Sequence, residues 1–421
     1  MQKEKQILRK QYKLMVFLLV SFLVIFPKGG VKVAGIPLTW GYFLLGLVSI
    51  TGLLGLLLKK VKTFNKYHLL TLSATLPFQV SAVSTLLLNG IGDIGRSLSL
   101  IISFVFIPWM FLFVFSHYLD KMDLTFLLDF LRNAIFLVAL YGVFLFFYKL
   151  ETGRFIEIPY LTVNADDVGN MENKFINRGG IFKLISTYNN GNIYGVSLLM
   201  LFPLYNLLEK SKFKKIIVNL SFILTLSRTV WFGLIIYHIL YSIYIKRINI
   251  NNFISTLSFM LIVFTGIYWS LKLMGFEWSF VFDERLGGRI EQFDYLENIS
   301  FFPSEPFLGI AEVVYLSVIR FFGISGFCFF MLAMCSPLVL HFLRKVPFNR
   351  TPFKKSLALG LTLYLIVSLS DGAMLLIPVM AFYWFIVALF LSNNPSFKYY
   401  EQHLDRKKNK NHLKHVFLSL R

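Results

Sequence analysis

Apolar blocks, each about as long as a membrane-spanning helix, follow one another along most of the chain, and short polar segments separate them. A helix of about 20 apolar residues crosses the hydrocarbon core of a bilayer. Only 15% of the 421 residues are charged, whereas ordinary soluble domains carry about 25%. A water-soluble enzyme or DNA-binding protein is therefore excluded. The sequence predicts an all-α polytopic membrane protein.

The apolar blocks predict about twelve transmembrane helices. The N-terminal block follows five basic residues but ends without a small-residue cleavage site, so we interpret it as an uncleaved first helix. The predicted helices are Met15–Phe26, Pro37–Leu58, Tyr67–Leu88, Leu98–Phe115, Ala134–Tyr148, Ile193–Leu208, Ile216–Leu226, Thr229–Ile245, Phe253–Leu273, Phe322–Leu340, Leu357–Leu369 and Leu375–Leu391.

The boundary near Arg228 could be drawn in two ways. A single helix over Ile216–Ile245 would be about 45 Å long, and it would bury Arg228 in lipid at a cost of roughly 3 kcal/mol. A hairpin that turns at Ser227 and Arg228 avoids both problems. It also places most Lys and Arg residues on the cytoplasmic side, whereas the single helix reverses every later loop. We therefore predict the hairpin.

The same rule orients the whole chain. Both termini are predicted to be cytoplasmic, and two long loops, residues 149–192 and 274–321, are predicted to be periplasmic. Residues 1–397 form a single membrane domain, followed by a basic cytoplasmic tail at 398–421. The formal net charge of +20 is then explained by orienting loop residues and by attraction to the lipid bilayer. We predict no nucleic-acid partner.

Arginine is concentrated on the predicted outer side. A guanidinium stays charged and binds phosphate oxygens through two parallel hydrogen bonds, so several of them could hold a lipid-linked phosphate or diphosphate. The alternative is that they are solvated loop charges or snorkelling side chains. That alternative is weakest for Arg228, which lies at a hairpin tip between two apolar helices. The outer arginines are Arg154, Arg178, Arg228, Arg285, Arg289 and Arg320.

A general base on the outer side would have to be a carboxylate, because all the histidines fall in cytoplasmic segments or inner halves of predicted helices. Desolvation beside lipid raises the pKa of a carboxyl group toward neutrality, which suits it to accept a hydroxyl proton. Glu312 stands apart from the other outer acidic residues because apolar residues surround it. Tyr315 could stack on a sugar ring or could belong to the interfacial aromatic belt.

Neither a metal nor another cofactor is predicted. The outer segments contain no His pair, Cys cluster or Asp-x-Asp pattern with the spacing of metal ligands. They also contain no glycine-rich loop of the kind that holds nucleotide phosphates. Any positive charge that stabilises a leaving phosphate would therefore have to come from side chains.

Three groups of outer segments occur in a characteristic order. The first is Arg178-Gly-Gly-Ile-Phe182 followed by Tyr188-Asn-Asn-Gly-Asn-Ile-Tyr-Gly195, and the second is Thr225-Leu-Ser-Arg-Thr-Val-Trp231. The third comprises Gly288-Arg289, Pro306-Phe-Leu-Gly-Ile310, Tyr315 and Gly323-Ile-Ser-Gly326. This arrangement resembles the bacterial O-antigen polymerases (Wzy-type) and the related O-antigen ligases. With the predicted helices, the resemblance extends over the whole chain.

The resemblance implies a GT-C-like, metal-independent glycosyltransferase of the inner membrane. Such an enzyme polymerises undecaprenyl-diphosphate-linked repeat units into O-antigen or a similar surface polysaccharide on the periplasmic face, with a chain-length regulator among its partners. The neutralisation of the departing diphosphate by arginines, which the resemblance implies, matches Arg178, Arg228 and Arg289. We assign catalytic roles to Arg228 and Arg289, and to Glu312 as the candidate base near the position where ligases carry a histidine. Substrate binding is assigned to Arg178, Asn190, Asn192, Arg285 and Tyr315.

Two other functions remain open at this point. An O-antigen ligase performs the same chemistry with a different acceptor, but ligases typically carry a histidine near the position of residues 311–314, where this chain has none. A flippase or another transporter of lipid-linked oligosaccharides also has about twelve helices. Transporters place charges in a central cavity, whereas here the predicted helices are nearly free of charge. Both comparisons favour the polymerase.

Overall fold

The structure is a computed structural model of the chain. It describes residues 13–58, 65–163, 177–244, 289–347 and 351–394, except residues 34–35, 121, 123, 179–180 and 298, with a few isolated residues elsewhere. The helices of this part are α1 (Lys13–Ile25), α2 (Trp40–Leu58), α3 (Lys66–Leu88), α4 (Ile94–Leu119), α5 (Leu124–Thr152), α6 (Gly191–Leu208), α7 (Lys212–Leu224), α8 (Arg228–Tyr244), α9 (Val314–Phe342), α10 (Pro352–Val367) and α11 (Ile377–Leu391). Two short antiparallel hairpins accompany them, β1 (Gly30–Val33) with β2 (Ile36–Thr39) and β3 (Asn177–Arg178) with β4 (Ile181–Phe182).

Five of these helices, α3, α4, α5, α6 and α9, are long and apolar enough to cross a membrane. The predicted class of mostly helical membrane protein is therefore supported. The helix α5 begins ten residues before the predicted Ala134, because Leu124, Leu127, Leu128 and Leu131 are buried and continue its apolar face. The predicted helix Phe253–Leu273, apart from isolated residues, and the tail at 398–421 lie outside the described residues.

The helix α11 is the centre of the bundle, since all of its 15 residues are buried. A helix that is apolar on every side is stable only when other elements surround it. The helices α6 and α10 pack close to one another nearby, and a Cβ on Gly360 would clash with the carbonyl oxygen of Met200. Small residues allow such close helix contact inside membranes, where packing replaces the hydrophobic effect as the force for association.

One end of the bundle, which we call the basal end, contains the start of α3 and the ends of α4, α9 and α11. Asn65 donates a hydrogen bond to the Leu391 carbonyl at 3.1 Å, and the Ser392 hydroxyl donates to Asp120 at 2.7 Å. The buried Lys354 ammonium, in the first turn of α10, donates to three carbonyls at the end of α11. They belong to Leu389 and Phe390 in its last turn and to Ser392 just after it. The bonds from Asn65 and Lys354 satisfy carbonyls that a helix C-terminus leaves without partners. We call the opposite end the apical end.

The chain breaks between α7 and α8 at residues 225–227 instead of continuing as one long helix. Leu226 adopts a φ of +48°, a left-handed conformation that ends the helix. The Trp231 indole reaches back across the break and donates to the Ile223 carbonyl at 3.1 Å. The sequence therefore locates this break correctly to within a few residues, although Arg228 is the first residue of α8 and not part of the turn.

The helix α9 also contains a break, at Gly323, whose φ of +68° and ψ of −177° are not helical. The break frees the amides of Ile324 and Ser325, which donate to the carbonyls of Ser300 and Phe301 at 3.1 and 3.0 Å. The part of α9 after Gly323 corresponds to the predicted helix Phe322–Leu340. The part before it, Val314–Phe322, extends the helix toward the polar residues described below.

Gly323→Ala is expected to destabilise the protein by roughly 1–3 kcal/mol, because a non-glycine residue is strained at this φ. Its Cβ would also lie 2.7 Å from the Phe301 carbonyl oxygen. Thermal denaturation in detergent measures the effect. Gly46→Ala in α2 is the matched control, since nothing lies within 4 Å of its Cβ position. Equal denaturation midpoints for the two variants would contradict the expectation.

Candidate functional site

Three charged side chains from separate parts of the chain meet at the apical end. Arg289 Nε lies 2.7 Å from Glu312 Oε2, and Arg289 Nη2 lies 3.6 Å from Asp371 Oδ2. Arg289 is 7% exposed and Asp371 is 5% exposed, whereas the Glu312 side chain is 49% exposed. One guanidinium therefore lies between a buried carboxylate and a solvent-accessible one.

Asn192, in the first turn of α6, joins this cluster. Its Nδ2 donates a hydrogen bond to Asp371 Oδ2 at 2.8 Å. Asn190 positions that turn as the helix N-cap, because its side-chain oxygen accepts from the amides of Asn192 and Ile193. The cluster of Asn192, Arg289, Glu312 and Asp371 is called the apical cluster below.

The backbone around the apical cluster is held by bonds between its loops. The Gly372 amide donates to the Glu312 carbonyl at 3.4 Å. The Val313 amide donates to the Gln292 side-chain oxygen at 2.9 Å, which ties the start of α9 to the segment that follows Arg289. The positions of Arg289, Glu312 and Asp371 therefore depend on one another.

Burial raises the pKa of Asp371 to about 6, and the nearby Glu312 charge adds to the rise. Arg289, the hydrogen bond from Asn192 and the charge of Lys183 act in the opposite direction, because they favour the ionised form. Asp371 lies between α10 and α11, outside the helices. Its carboxyl group is thus poised to change its protonation state in the range between mild acidity and neutrality.

The start of α8 lies beside the apical cluster. Thr229 Oγ1 is 2.9 Å from the hydroxyl oxygen of Ser370, the residue before Asp371. Arg228 precedes Thr229 and is the first residue of α8. The predicted hairpin-tip arginine is therefore placed next to the segment that carries Asp371.

The remaining residues selected from the sequence are located differently. The backbone of Arg178 pairs with Ile181 in the short β3–β4 hairpin, and Arg285 lies outside the described residues. Tyr315 is turned toward the bundle, where its hydroxyl donates to the Leu365 carbonyl at 2.5 Å. The Arg154 side chain is exposed and is not part of the apical cluster. The structure thus brings Arg289, Glu312 and Asn192 together and gives Tyr315 another partner.

Asp371 was not selected from the sequence, although a signal was present. It is an acidic residue between two apolar blocks, in Ser368-Leu-Ser-Asp-Gly-Ala-Met-Leu-Leu376. A charge at such a turn is costly without a partner, which is the argument that singles out Arg228. The same cost distinguishes Asp371 from the carboxylates of the polar loops.

The helices on either side of Asp371 are shorter than α3 and α4. The helices α10 and α11 contain 16 and 15 residues, about 24 and 22 Å at 1.5 Å per residue. The helices α3 and α4 contain 23 and 26 residues, about 35 and 39 Å. The two helices that flank Asp371 are therefore roughly 11–17 Å shorter than α3 and α4.

The chemistry of the apical cluster follows from these positions. The Arg289 guanidinium can exchange the exposed Glu312 carboxylate for a phosphate group. Carboxylate and phosphate are both oxygen anions that accept hydrogen bonds from guanidinium N–H groups. The exchange would leave the Glu312 carboxylate free to accept a proton.

No family model, curated protein or solved structure compared with this chain matches it.

Proposed function

We propose that this chain is a membrane glycosyltransferase that polymerises undecaprenyl-diphosphate-linked oligosaccharide repeat units into O-antigen or a similar surface polysaccharide. The observation that carries the proposal is the Arg289 guanidinium between Glu312 and Asp371, at the apical end of an apolar helical bundle. It combines a cation suited to a diphosphate with an accessible carboxylate suited to act as a base.

The proposed reaction uses the two charges in sequence. The donor diphosphate displaces Glu312 from Arg289, and the released Glu312 carboxylate accepts the proton of the acceptor hydroxyl. The hydroxyl oxygen then forms a bond to the anomeric carbon, and the bond from that carbon to the diphosphate oxygen breaks. Arg289 and Arg228 stabilise the charge on the departing diphosphate, an effect typically worth several kcal/mol.

Asp371 acts in this proposal as a positioning residue. It is buried and holds both Asn192 and Arg289, so it keeps the guanidinium oriented when Glu312 exchanges for phosphate. Glu312 is the better candidate for the base because its side chain is half-exposed. Substrate contacts of Arg178, Asn190, Arg285 and Tyr315 remain predictions.

The proposed topology is the twelve-helix, GT-C-like arrangement in the bacterial inner membrane, with both termini cytoplasmic and the apical end periplasmic. Successive described helices alternate between the basal and apical ends from α3 to α8 and from α9 to α11, and this alternation supports the proposed topology. So does the basal position of Lys354, Lys355 and Arg344, since cytoplasmic loops carry an excess of basic residues.

Electrophoresis of surface polysaccharide from a deletion strain tests the activity. A polymerase predicts that the ladder of chain lengths collapses to lipid A-core carrying one repeat unit. A retained ladder would contradict the proposal. Lipid A-core without any repeat unit would indicate a ligase, and lipid-linked units trapped on the cytoplasmic face would indicate a flippase.

A further inference from the structure

The segment that follows Arg289 is a short 3-10 helix with three distinct faces. It covers Ile290–Leu296, and a 3-10 helix has three residues per turn, so that every third residue lies on the same face. One face contains Gln292 and Tyr295. Its other two faces are uniformly apolar and uniformly acidic.

The first face is fixed against the protein. Gln292 accepts a hydrogen bond from the Val313 amide at 2.9 Å. The Tyr295 ring lies under the Arg320 guanidinium, 4.3 Å from its central carbon, and Arg320 also donates to Glu305 at 2.9 Å. These contacts determine which way the other two faces of the helix point.

The second face is apolar and exposed, and the third is acidic. Ile290, Phe293 and Leu296 form the apolar face, and the exposed Phe301 and Phe302 continue it, at 60% and 69% exposure. Three exposed acidic residues form the third face: Glu291, Asp294 and Glu297. Exposed apolar and acidic residues thus separate along one short segment, as they do in helices that lie at a membrane surface.

The exposed phenylalanines adjoin the part of the protein that crosses the membrane. The Phe301 carbonyl accepts from the Ser325 amide, where α9 resumes after Gly323. Asn89, at the end of α3, donates to the Glu305 carbonyl at 3.3 Å. The neighbouring Leu88 of α3 is among the most exposed apolar residues described. The phenylalanines therefore adjoin α9, where Ile324 is also exposed, and the same segment continues to the end of α3 at Glu305.

We propose that segment 290–302 lies in the interface of the same bilayer that α3 and α9 cross, with its apolar face toward the acyl chains and its acidic face toward water. The continuity with α3 and α9 identifies lipid as the occupant, and the acidic face sets the rotation of the helix. The sequence predicts a periplasmic loop over this segment, and such a loop does not by itself imply contact with lipid. The inference does not depend on the proposed enzymatic activity.

Spin-label accessibility tests the placement in the full chain. The native cysteines are removed by Cys328→Ala and Cys335→Ala, and the protein is reconstituted in phosphatidylcholine nanodiscs. Labels are introduced singly at Phe293→Cys and Phe302→Cys, with Glu297→Cys as the matched control on the acidic face and Leu88→Cys as a lipid-facing reference. Power saturation is measured with oxygen, which partitions into lipid, and with a water-soluble nickel complex.

Labels at 293 and 302 are expected to resemble the label at 88, with oxygen collisions several-fold more effective than nickel collisions. The label at 297 is expected to give the reverse order. Nickel accessibility at 293 and 302 equal to that at 297 would overturn the proposal, because the segment would be a solvated loop. Protection of 293 and 302 from both reagents would also overturn it, because a second copy or another protein would then cover the face.

Discussion

Arg289→Ala is expected to lower chain extension by at least about 100-fold, while the amount of protein in the membrane stays near that of the wild type. Removing a single group that stabilises negative charge at a reacting centre typically costs about 2.7–4 kcal/mol in the barrier. Arg289 contacts both Glu312 and Asp371, so the substitution removes the cation and leaves two like charges near one another. Electrophoresis of the polysaccharide and immunodetection of the protein measure the two quantities.

Two further variants separate charge from geometry. Arg289→Lys keeps the positive charge but not the planar pair of N–H donors, and is expected to restore little activity. Arg154→Ala removes an exposed arginine that lies outside the apical cluster, and is expected to leave the ladder unchanged. Wild-type chain lengths in Arg289→Ala, or equal losses in Arg289→Ala and Arg154→Ala, would remove the support for a specific diphosphate contact.

Asp371→Asn is expected to stabilise the protein above pH 6 while it lowers chain extension. The folded-state pKa of Asp371 is raised from 3.8 to about 6 by burial. The folded protein therefore binds this proton more tightly than the unfolded chain, and stability falls as the pH rises from about 4 to about 6. A shift of about two units corresponds to roughly 3 kcal/mol at neutral pH, and the amide of asparagine carries no such penalty.

Thermal denaturation in detergent between pH 4 and pH 8 measures this difference. The midpoint of the wild type is expected to fall relative to that of Asp371→Asn as the pH increases, and the gap is expected to remain constant above about pH 7. Asp294→Asn, on the exposed acidic face, is the control and is expected to follow the wild type. A constant gap over the whole range would contradict a raised pKa for Asp371.

The loss of activity in Asp371→Asn has a separate cause. The asparagine can still bond to Asn192, but it no longer attracts Arg289. The guanidinium would then keep only Glu312 as an anionic partner, and its orientation would change when a diphosphate displaces that residue. Stability and activity are therefore expected to move in opposite directions, as is common where a functional site contains buried charge.

The membrane class and most helix positions could be predicted from the sequence because apolar blocks have a characteristic length. The break before Arg228 was also predictable, since a buried arginine and a helix of 30 residues are both costly. The sequence predicts Arg289 and Glu312 as separate chemical groups, and the structure places Arg289 Nε 2.7 Å from Glu312 Oε2. Local composition was therefore enough to predict the membrane class, most helix positions, the break and these two residues, but not the contact between them.

Other features depend on contacts between distant residues. Asn192 and Asp371 are 179 positions apart, and no periodic pattern indicates that they meet. The sequence on both sides of Gly323 is apolar, so the break in α9 becomes visible only through the carbonyls of Ser300 and Phe301 that accept its free amides. Tyr315 illustrates the same limit, because its direction is determined by the Leu365 carbonyl on another helix.

The difference in length between the enclosed and the peripheral helices has a consequence for the surrounding lipid. An α-helix too short for the hydrocarbon thickness normally forces the bilayer to thin around it, which is the cost of hydrophobic mismatch. Here the 15-residue α11 is wholly enclosed, and longer helices such as α3 and α4 present the lipid-facing surface. The protein can therefore contain a helix shorter than the hydrocarbon thickness without exposing its ends to lipid, and the membrane around it keeps its normal thickness.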